Sequence, residues 1–358
     1  MVRDANAHTK GMRECRAQWA WPRVGLWLGV LAAVTAGLWQ GAPALHGQVP
    51  EGLGEAAALF EVEVDLVMLN IAVTDQRGRY IQGLTPEDFR ITEDGVQQAI
   101  ASFGAGNAAP RRITRTGVRP GPVAGEAELS IPAAIAGQLV GTNVFVLFDT
   151  SNFMYRSLVY AEDAIADFIR GLDGADSVAV YSFSRNLTRH ANLSPEHDDA
   201  LRGLRRSVAG DETALYNCLL LTLRDAAKVS GRKVIIVFSN GPDNASAVSP
   251  DDVGAIAEDE GVPIYVISTR ALNRDPISSN AFRRITARTG GKAYFAKTWQ
   301  RQSEAFVEIR DELASSYTVT YYPEANPNRG WRSIQVELVG PDQRRYRVRT
   351  RAGYRPKL

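Results

Sequence analysis

The sequence predicts an α/β fold: a doubly wound, mostly parallel sheet inserted in, or flanked by, a small β-sandwich. Between residues 141 and 315, apolar runs alternate with amphipathic helical patterns, which favours a parallel sheet with helices on both faces. The first of these runs, 143–149, is apolar and rich in strand formers, as buried parallel strands are, and it ends in an Asp. Residues 56–104 and 316–358 instead alternate polar and apolar side chains, the period of half-buried strands.

The N-terminal β segment, 56–104, contains three local signals. The run 61–67 alternates charged and apolar residues. Thr85-Pro86 opens one helical turn, because Thr is a good cap and Pro suits the first helical position. Asp94-Gly95 between two extended runs predicts a hairpin. The following residues, 105–140, are rich in Ala, Gly, Pro and Arg and are predicted to form a linker.

The central domain, 141–315, is predicted to alternate strands and helices throughout. The run Val234–Phe238 is apolar on both faces and is therefore expected at the centre of the sheet. The first helix carries its apolar residues at the i, i+3, i+4 spacing of a buried stripe. Strands are expected near 143–149, 177–184, 233–239, 262–268 and 292–296, with a short antiparallel edge near 187–191, and helices near 156–171, 196–207, 213–229, 250–260, 277–289 and 300–315.

The C-terminal segment, 316–358, returns to β structure. Strand patterns occupy 317–322, 333–338 and 346–351. Three or four strands on either flank alone would bury little apolar surface. We therefore expect both flanks to form one β-sandwich into which the central domain is inserted, with two separate small β units as the alternative.

The composition excludes several classes of function. With 45% hydrophobic and 23% charged residues over 358 positions, the chain is expected to be globular. A net charge of +1 gives no reason to expect a nucleic-acid partner. The two cysteines, Cys15 and Cys218, cannot form a zinc site of paired thiolates, and four histidines exclude a histidine-rich metal centre.

The first 47 residues read as a secretory signal. Arginines precede an uncharged run, 24–39, and small residues around Ala44 provide a cleavage position. An uncleaved membrane anchor is the alternative, although the run is just short of a spanning helix. Either interpretation predicts an exported protein that is secreted, periplasmic or associated with the cell envelope.

Small oxygen-bearing side chains lie at three ends of the predicted strands and helices. Asp149 and Ser151 come at the end of the first strand, Thr213 at the start of a helix, and Asn240 directly after the central strand. Ligands of open α/β sheets bind at the carboxyl ends of the strands. The sequence therefore predicts a ligand site at this edge.

These residues resemble the metal-ion-dependent adhesion site of von Willebrand factor type A (VWA) domains. That site combines Asp-x-Ser-x-Ser with a Thr and an Asp from two further loops. Blocks on both sides, Gly83-Leu-Thr-Pro-Glu-Asp-Phe89 and Leu313-Ala-Ser-Ser-Tyr317, together with the closing Arg-Ala-Gly-Tyr354, resemble the bacterial exported VWFA-related family. The resemblance implies a VWA fold and an exported protein.

The site departs from the VWA pattern at two positions. Phe153 replaces the last Ser, and Asn240 replaces the Asp. Both changes weaken a magnesium site, because Mg²⁺ is usually held by one or two carboxylates in octahedral oxygen coordination. Two interpretations stay open: the helix N-termini satisfy Asp149 without a metal, or a weak Mg²⁺ or Ca²⁺ ion binds, with Asn152 and Asp243 as further oxygen donors.

We predict that the protein binds another protein, in an adhesion-type interaction, through the loops above the sheet. The candidate contacts are Asn152, Phe153, Met154, Tyr155 and Asp243, since aromatic residues and Met are enriched at interfaces. A structural component of the cell envelope, without ligand function in the VWA domain, is the alternative. No catalytic residue is predicted, because the nucleophile-elbow and phosphate-loop motifs are missing from the sequence.

The C-terminal strand carries a regular series of arginines. A strand there would place Arg345, Arg347, Arg349 and Arg351 on one face. Such a face is either an ordinary solvated surface or a docking stripe for an anionic envelope surface, because guanidinium groups bind phosphate bidentately.

Overall fold

The fold was obtained as a computed structural model. It describes residues 66–113, 141–154, 158–174, 176–270, 272–340 and 345–357. The predicted leader, the first ten residues of the N-terminal β segment and most of the predicted linker lie outside the described residues. Among the residues that are described, no helix combines the length and the apolar character needed to cross a membrane.

The described strands fall in three groups along the chain. The first group is β1 (Val67–Asp75), β2 (Phe89–Glu93), β3 (Val96–Gln98), β4 (Ile100–Ala105) and β5 (Arg111–Arg112). The second is β6 (Asn143–Asp149), β7 (Ser177–Phe183), β8 (Leu187–Ser194), β9 (Lys233–Ser239), β10 (Ile264–Ser268) and β11 (Ala293–Phe295). The third is β12 (Tyr317–Tyr321), β13 (Arg332–Leu338), β14 (Tyr346–Arg349) and β15 (Gly353–Tyr354).

The described helices lie between β6 and β12, apart from one short turn. They are α1 (Leu158–Arg170), α2 (His197–Leu204), α3 (Leu215–Ala227), α4 (Pro250–Asp259), α5 (Pro276–Thr289) and α6 (Trp299–Ser315). The single turn predicted at Thr85-Pro86 is a 3-10 helix, Pro86–Asp88, and Asp88 accepts hydrogen bonds from the Thr85 backbone and hydroxyl.

The second group of strands forms one six-stranded sheet in the order β11-β10-β9-β6-β7-β8. All its pairings are parallel except that of β8 with β7. The predicted α/β class, the central position of the apolar strand at Val234–Phe238 and the antiparallel edge are therefore confirmed. The edge strand runs to Ser194, three residues further than the pattern indicated.

Alternate side chains of β6 serve the two faces of this sheet. Val144, Val146 and Phe148 join the core that includes α1, α2 and α6. Phe145 and Leu147 join the core that includes α3, α4 and α5. Because both faces are covered, the strand is apolar along its whole length, as the sequence suggested.

Strands from both ends of the chain share two antiparallel sheets, ordered β14-β1-β12-β4-β5 and β15-β13-β2-β3. Val67 pairs with Tyr321 where β1 meets β12, and Phe89 pairs with Leu338 where β2 meets β13. Side chains of both sheets meet in one apolar core. The β structure expected on either side of the parallel sheet is thus present, and strands from the two flanks pair with each other.

The predicted arginine stripe is wrong. β14 ends at Arg349, whose guanidinium donates to the buried carboxylate of Glu312. Arg351 lies beyond the strand, is buried, and donates to the carbonyl oxygen of Glu258 at 2.8 Å. Only Arg345 and Arg347 are exposed. The alternation does not produce an exposed stripe, because β14 lies against the helical domain and Arg349 and Arg351 donate hydrogen bonds to that domain.

Candidate functional site

The site residues of β6 lie at its carboxyl end and are completely buried. Asp149 is the last residue of the strand, and Ser151 follows two residues later. One oxygen of the Asp149 carboxylate accepts the Ser151 backbone N–H at 2.8 Å, and the other accepts the Ser239 hydroxyl at 2.7 Å. Ser239 is the last residue of β9, so two neighbouring strand ends hold the carboxylate in place.

Three loops meet at this edge of the sheet. The Gly210 N–H donates to the Thr150 carbonyl at 2.8 Å, which ties the second loop to the first. Asn240 donates its amide to the Phe153 carbonyl at 2.6 Å, which ties the third loop to the first. The Asn244 N–H donates to the Thr213 carbonyl at 3.0 Å and joins the second and third loops. The structure therefore brings the predicted residues of all three loops together.

Three buried oxygen atoms of this group have no hydrogen-bond partner within the described part of the chain. They are Ser151 Oγ, Thr213 Oγ1 and Asn240 Oδ1. A buried polar group left without a partner costs about 1–3 kcal/mol, so three in one place need a physical reason. Eight other described side-chain atoms share this condition.

These donor types fit a hard cation. Mg²⁺ and Ca²⁺ take carboxylate, hydroxyl and amide oxygens, and the group offers one carboxylate, Asp149, beside three neutral oxygens. Groups of three or more acidic, His or Cys side chains that could bind a metal do not occur in the described residues. The set therefore fits a cation that is held by a single carboxylate, which is a weaker site than one with two.

Burial raises the pKa of Asp149, because the ionised carboxylate loses its contact with water. Hydrogen bonding from Ser151 and Ser239 partly opposes this rise. The Ser151 hydroxyl is near enough to lower the pKa of the carboxyl, yet it meets no partner at hydrogen-bond geometry. A positive charge beside Asp149 would favour the ionised form further.

The Asp243 carboxylate is used in hydrogen bonds within the protein. Its carboxylate accepts the backbone N–H of Tyr216 at 3.0 Å, in the first turn of α3, and the Ser246 hydroxyl at 2.7 Å. A carboxylate at a helix N-terminus satisfies free N–H groups and the helix dipole. Its oxygens are thus already used within the protein, contrary to its selection as a contact or a metal donor.

The candidate contacts of the first loop behave differently from one another. Asn152 is exposed, and Phe153 exposes 44% of its surface. Met154 is only 1% exposed and packs into the core beneath α1, so the prediction that it contacts a partner is wrong. Tyr155 lies outside the described residues. Phe153 is therefore the apolar residue that this loop offers to solvent.

Further exposed apolar side chains lie along the same edge, and the sequence analysis missed them. Ile277 is the second residue of α5 and is 84% exposed, and Trp299 is the first residue of α6 and is 59% exposed. Helices that follow parallel strands begin at the carboxyl edge of the sheet. An apolar residue in the first turn of such a helix, outside its buried stripe, was the available signal.

The domain contains the three residue types of a hydrolase triad, Ser, His and Asp, but they do not come together. The ring of His190 meets Ser182 Oγ at 2.7 Å, while Asp149 is hydrogen-bonded to Ser151 N and Ser239. Ser151, His190 and Asp149 therefore make no triad. The geometry instead brings buried oxygen atoms from three loops together at the carboxyl edge of the sheet of an α/β domain.

Comparison with known proteins places this domain in a family. Residues 143–308 match the family model of the von Willebrand factor type A domain, so the chain contains a VWA domain, as the site motif indicated. VWA domains are generally interaction modules rather than enzymes. No curated protein sequence matches the chain.

Solved structures similar to part of this chain include three bacterial proteins. BatB from Bacteroides thetaiotaomicron is 17% identical, with 49% of this chain and 100% of that chain covered and a TM-score of 0.42. The vWF domain of the type V pili tip protein Mfa5 from Porphyromonas gingivalis is 11% identical, with 47% and 93% covered and a TM-score of 0.41. The PilB minor pilin from Streptococcus sanguinis is 13% identical, with 48% and 61% covered and a TM-score of 0.40. Similarity at this level concerns the fold, not the ligand.

Proposed function

We propose that this protein is exported and binds another protein through the loops at the carboxyl edge of its VWA sheet. The observation that carries the proposal is the number of exposed apolar side chains at the edge of the sheet that holds the buried oxygen group. Seven of the fifteen large hydrophobic side chains that are exposed in the described residues lie in the loops or first helical turns at this edge. They are Phe153, Val159, Tyr160, Val208, Leu272, Ile277 and Trp299.

We name these seven residues the apolar rim. Exposed apolar residues that are scattered singly are normal on soluble proteins, but a concentration of them marks an interaction site. Aromatic residues are enriched at protein interfaces and carry much of the binding energy. The rim contains three aromatic side chains, those of Phe153, Tyr160 and Trp299. A protein partner with an apolar surface fits these features.

The oxygen group supports a cation beside the apolar rim. Asp149, Ser151, Thr213 and Asn240 would hold Mg²⁺ or Ca²⁺, and such an ion supplies an open coordination position to an oxygen of the partner. Asn240 has a second role here, because its amide fixes the Phe153 carbonyl and thereby the loop that presents the aromatic ring. Apolar contact and cation would act together, with the rim as the larger contributor.

The proposal is tested by capture of partners from envelope extract on immobilised protein, with Mg²⁺ or with EDTA. The variant Phe153→Ser/Trp299→Ser should lose the proteins that the wild type retains, and EDTA should reduce their amount. The matched control is Trp331→Ser, which removes an exposed aromatic side chain from the β-sandwich. If the rim variant captures the same proteins as the wild type and the control, the proposal fails.

A structural role in the envelope is the second candidate. Tyr322 and Trp331 are exposed on the β-sandwich and could serve its assembly with other components. Loss of capture in Trp331→Ser, with full capture by the rim variant, would favour this role over ligand binding by the VWA domain.

A further inference from the structure

A cavity lies at the opposite edge of the parallel sheet from the candidate site, where the β-sandwich meets the VWA domain. Its volume is about 270 Å³. β1 and the C-terminal tail form one wall, and the end of α4 and the start of β9 form the other. The cavity is far from the three loops of the candidate site, because Lys233 in its wall is the first residue of β9 whereas Ser239 is the last.

Charged side chains of both signs line this cavity, with an excess of positive charge. The cations are Lys233, Arg351, Arg355 and Lys357, and the carboxylates are Asp259 and Glu260. Arg355 pairs with Asp259 at 3.2 Å, and Lys357 pairs with Glu260 at 3.1 Å. Both carboxylates are thus already matched, which leaves two cations, those of Lys233 and Arg351.

Among the described residues, these two remaining cations are held by neutral carbonyl oxygens. Arg351 donates to the carbonyls of Glu258 at 2.8 Å and of Met68 at 3.2 Å. Lys233 donates to the carbonyl of Val229 at 2.7 Å. The Glu258 carboxylate does not compensate Arg351 directly, because it forms an ion pair with Arg288.

Arg351 is the more deeply buried of the two. It is 7% exposed, and its Nε has no hydrogen-bond partner. Burial lowers the pKa of Arg351 and also that of Lys233, because each charged form has lost much of its hydration. A buried charge is normally matched by an opposite charge, so the cavity has a deficit of negative charge.

We propose that this cavity binds a small oxyanion, a carboxylate or a phosphate, between Arg351 and Lys233. Arginine and lysine both form charge-assisted hydrogen bonds with such groups. Leu66, Val67 and Tyr354 add apolar walls that suit the organic part of a ligand. The ligand would contact the β-sandwich and the VWA domain at once and so would stabilise their junction.

Binding is measured by titration of the isotope-labelled protein with sodium phosphate and with sodium succinate, followed by NMR. Sodium chloride at matched ionic strength is the reference. The amides of Gly231 and Gly261 line the cavity and report on it directly. We expect saturable shifts of these two amides with one or both oxyanions and none with chloride. The oxyanion that saturates at the lower concentration identifies the preferred chemistry.

The variant Lys233→Met keeps the aliphatic stem and removes the charge. It should weaken binding about tenfold or more, the loss expected for a hydrogen bond to a charged group. The matched control is Lys297→Met, the same change on an exposed side chain beyond β11. Lys357→Met, at a side chain that is 70% exposed, provides a second cavity variant that should fold and bind more weakly.

Two results would overturn the proposal. One is the absence of saturable shifts with either oxyanion in the wild type. The other is unchanged affinity in both Lys233→Met and Lys357→Met. Shifts confined to the candidate site at the carboxyl edge count as the first result.

Discussion

Two buried carboxylates, Asp149 and Glu312, lie in opposite halves of the VWA domain and differ in their hydrogen-bond partners. Glu312, near the end of α6, accepts hydrogen bonds from the hydroxyls of Tyr265 and Tyr80 and from the guanidinium of Arg349. Asp149 accepts a backbone N–H and one serine hydroxyl, and the oxygens around it lack partners. The two carboxylates are therefore equally buried, but they differ in how completely the hydrogen-bonding capacity at each site is used.

The difference separates a group that joins two parts of the fold from the proposed ligand site. A buried polar network that is fully satisfied rigidifies a junction, whereas one that is partly satisfied is unfavourable unless another group completes it. Glu312 joins α6 and β10 of the VWA domain to the β-sandwich, through Arg349 and Tyr80. The Asp149 group faces the loops and the apolar rim instead.

Removal of the C-terminal β strands should have the largest effect. β12 lies between β1 and β4, and Tyr317, Val319 and Tyr321 belong to the shared core. A protein that ends at Ser315 should therefore aggregate, because β1 loses both of its paired neighbours, β12 and β14, and exposes its apolar face. Light scattering and hydrogen exchange measure this. A monomer in which β1 keeps its protection would contradict the shared core.

Glu312→Ala should destabilise the protein by about 3–5 kcal/mol, because it leaves the Arg349 charge without its buried partner. Urea unfolding measures the change. Glu304→Ala on the same helix is the control, since the Glu304–Arg301 pair is exposed and should contribute less than about 1 kcal/mol. Equal stability of both variants would show that the buried pair does not hold the junction.

Restoration of the VWA pattern should create a strong cation response. In Phe153→Ser/Asn240→Asp, a second carboxylate and a further hydroxyl join Asp149, which suits Mg²⁺. At a Mg²⁺ concentration of about a hundred times Kd, the gain in stability is roughly 2.7 kcal/mol, readily seen in a thermal melt. The same melt with Ca²⁺ tests selectivity. A double variant that melts at one temperature with and without both ions would exclude a cation at this edge.

The unmodified protein should respond more weakly to the same ions. When the Mg²⁺ concentration equals Kd, the gain is only about 0.4 kcal/mol, so the melt is followed up to high millimolar Mg²⁺. Asp149→Asn should abolish even this response, because it removes the one carboxylate of the set. It should also raise the stability of the metal-free protein at neutral pH. Burial raises the pKa of Asp149, so ionisation opposes folding as the pH rises above the ordinary value. A persistent Mg²⁺ response in this variant would place the ion elsewhere.

Much of the fold could be predicted from local pattern. The parallel strands, the helices between them and the turn at Pro86–Asp88 follow from periodicity and capping, which act over a few residues. The placement of Asp149, Ser151, Thr213 and Asn240 on one edge follows from the same pattern, because parallel strands align their carboxyl ends. The exposed side of each helix was harder to infer in its first turn, which is why Ile277 and Trp299 were missed.

The errors have one cause, the neighbours that a side chain meets in three dimensions. Arg349 and Arg351 belong to a regular alternation, yet they turn inward because α6 and the end of α4 lie against them. Met154 stands beside the exposed Phe153 but fills the core under α1. The Asp243 carboxylate was predicted from the sequence to be available to a ligand, but it accepts a backbone N–H at the start of α3.

The α/β class, the VWA site motif and the edge at which the motif lies could be predicted, because they depend on patterns within single strands and helices. Which buried polar groups have hydrogen-bond partners depends instead on contacts between distant parts of the chain. Tyr80 and Glu312 are 232 residues apart in the chain, and Ser239 and Asp149 are 90 apart. Packing determines hydrogen-bond partners at such separations, and it gives Glu312 three donors while it leaves three oxygens beside Asp149 without a partner.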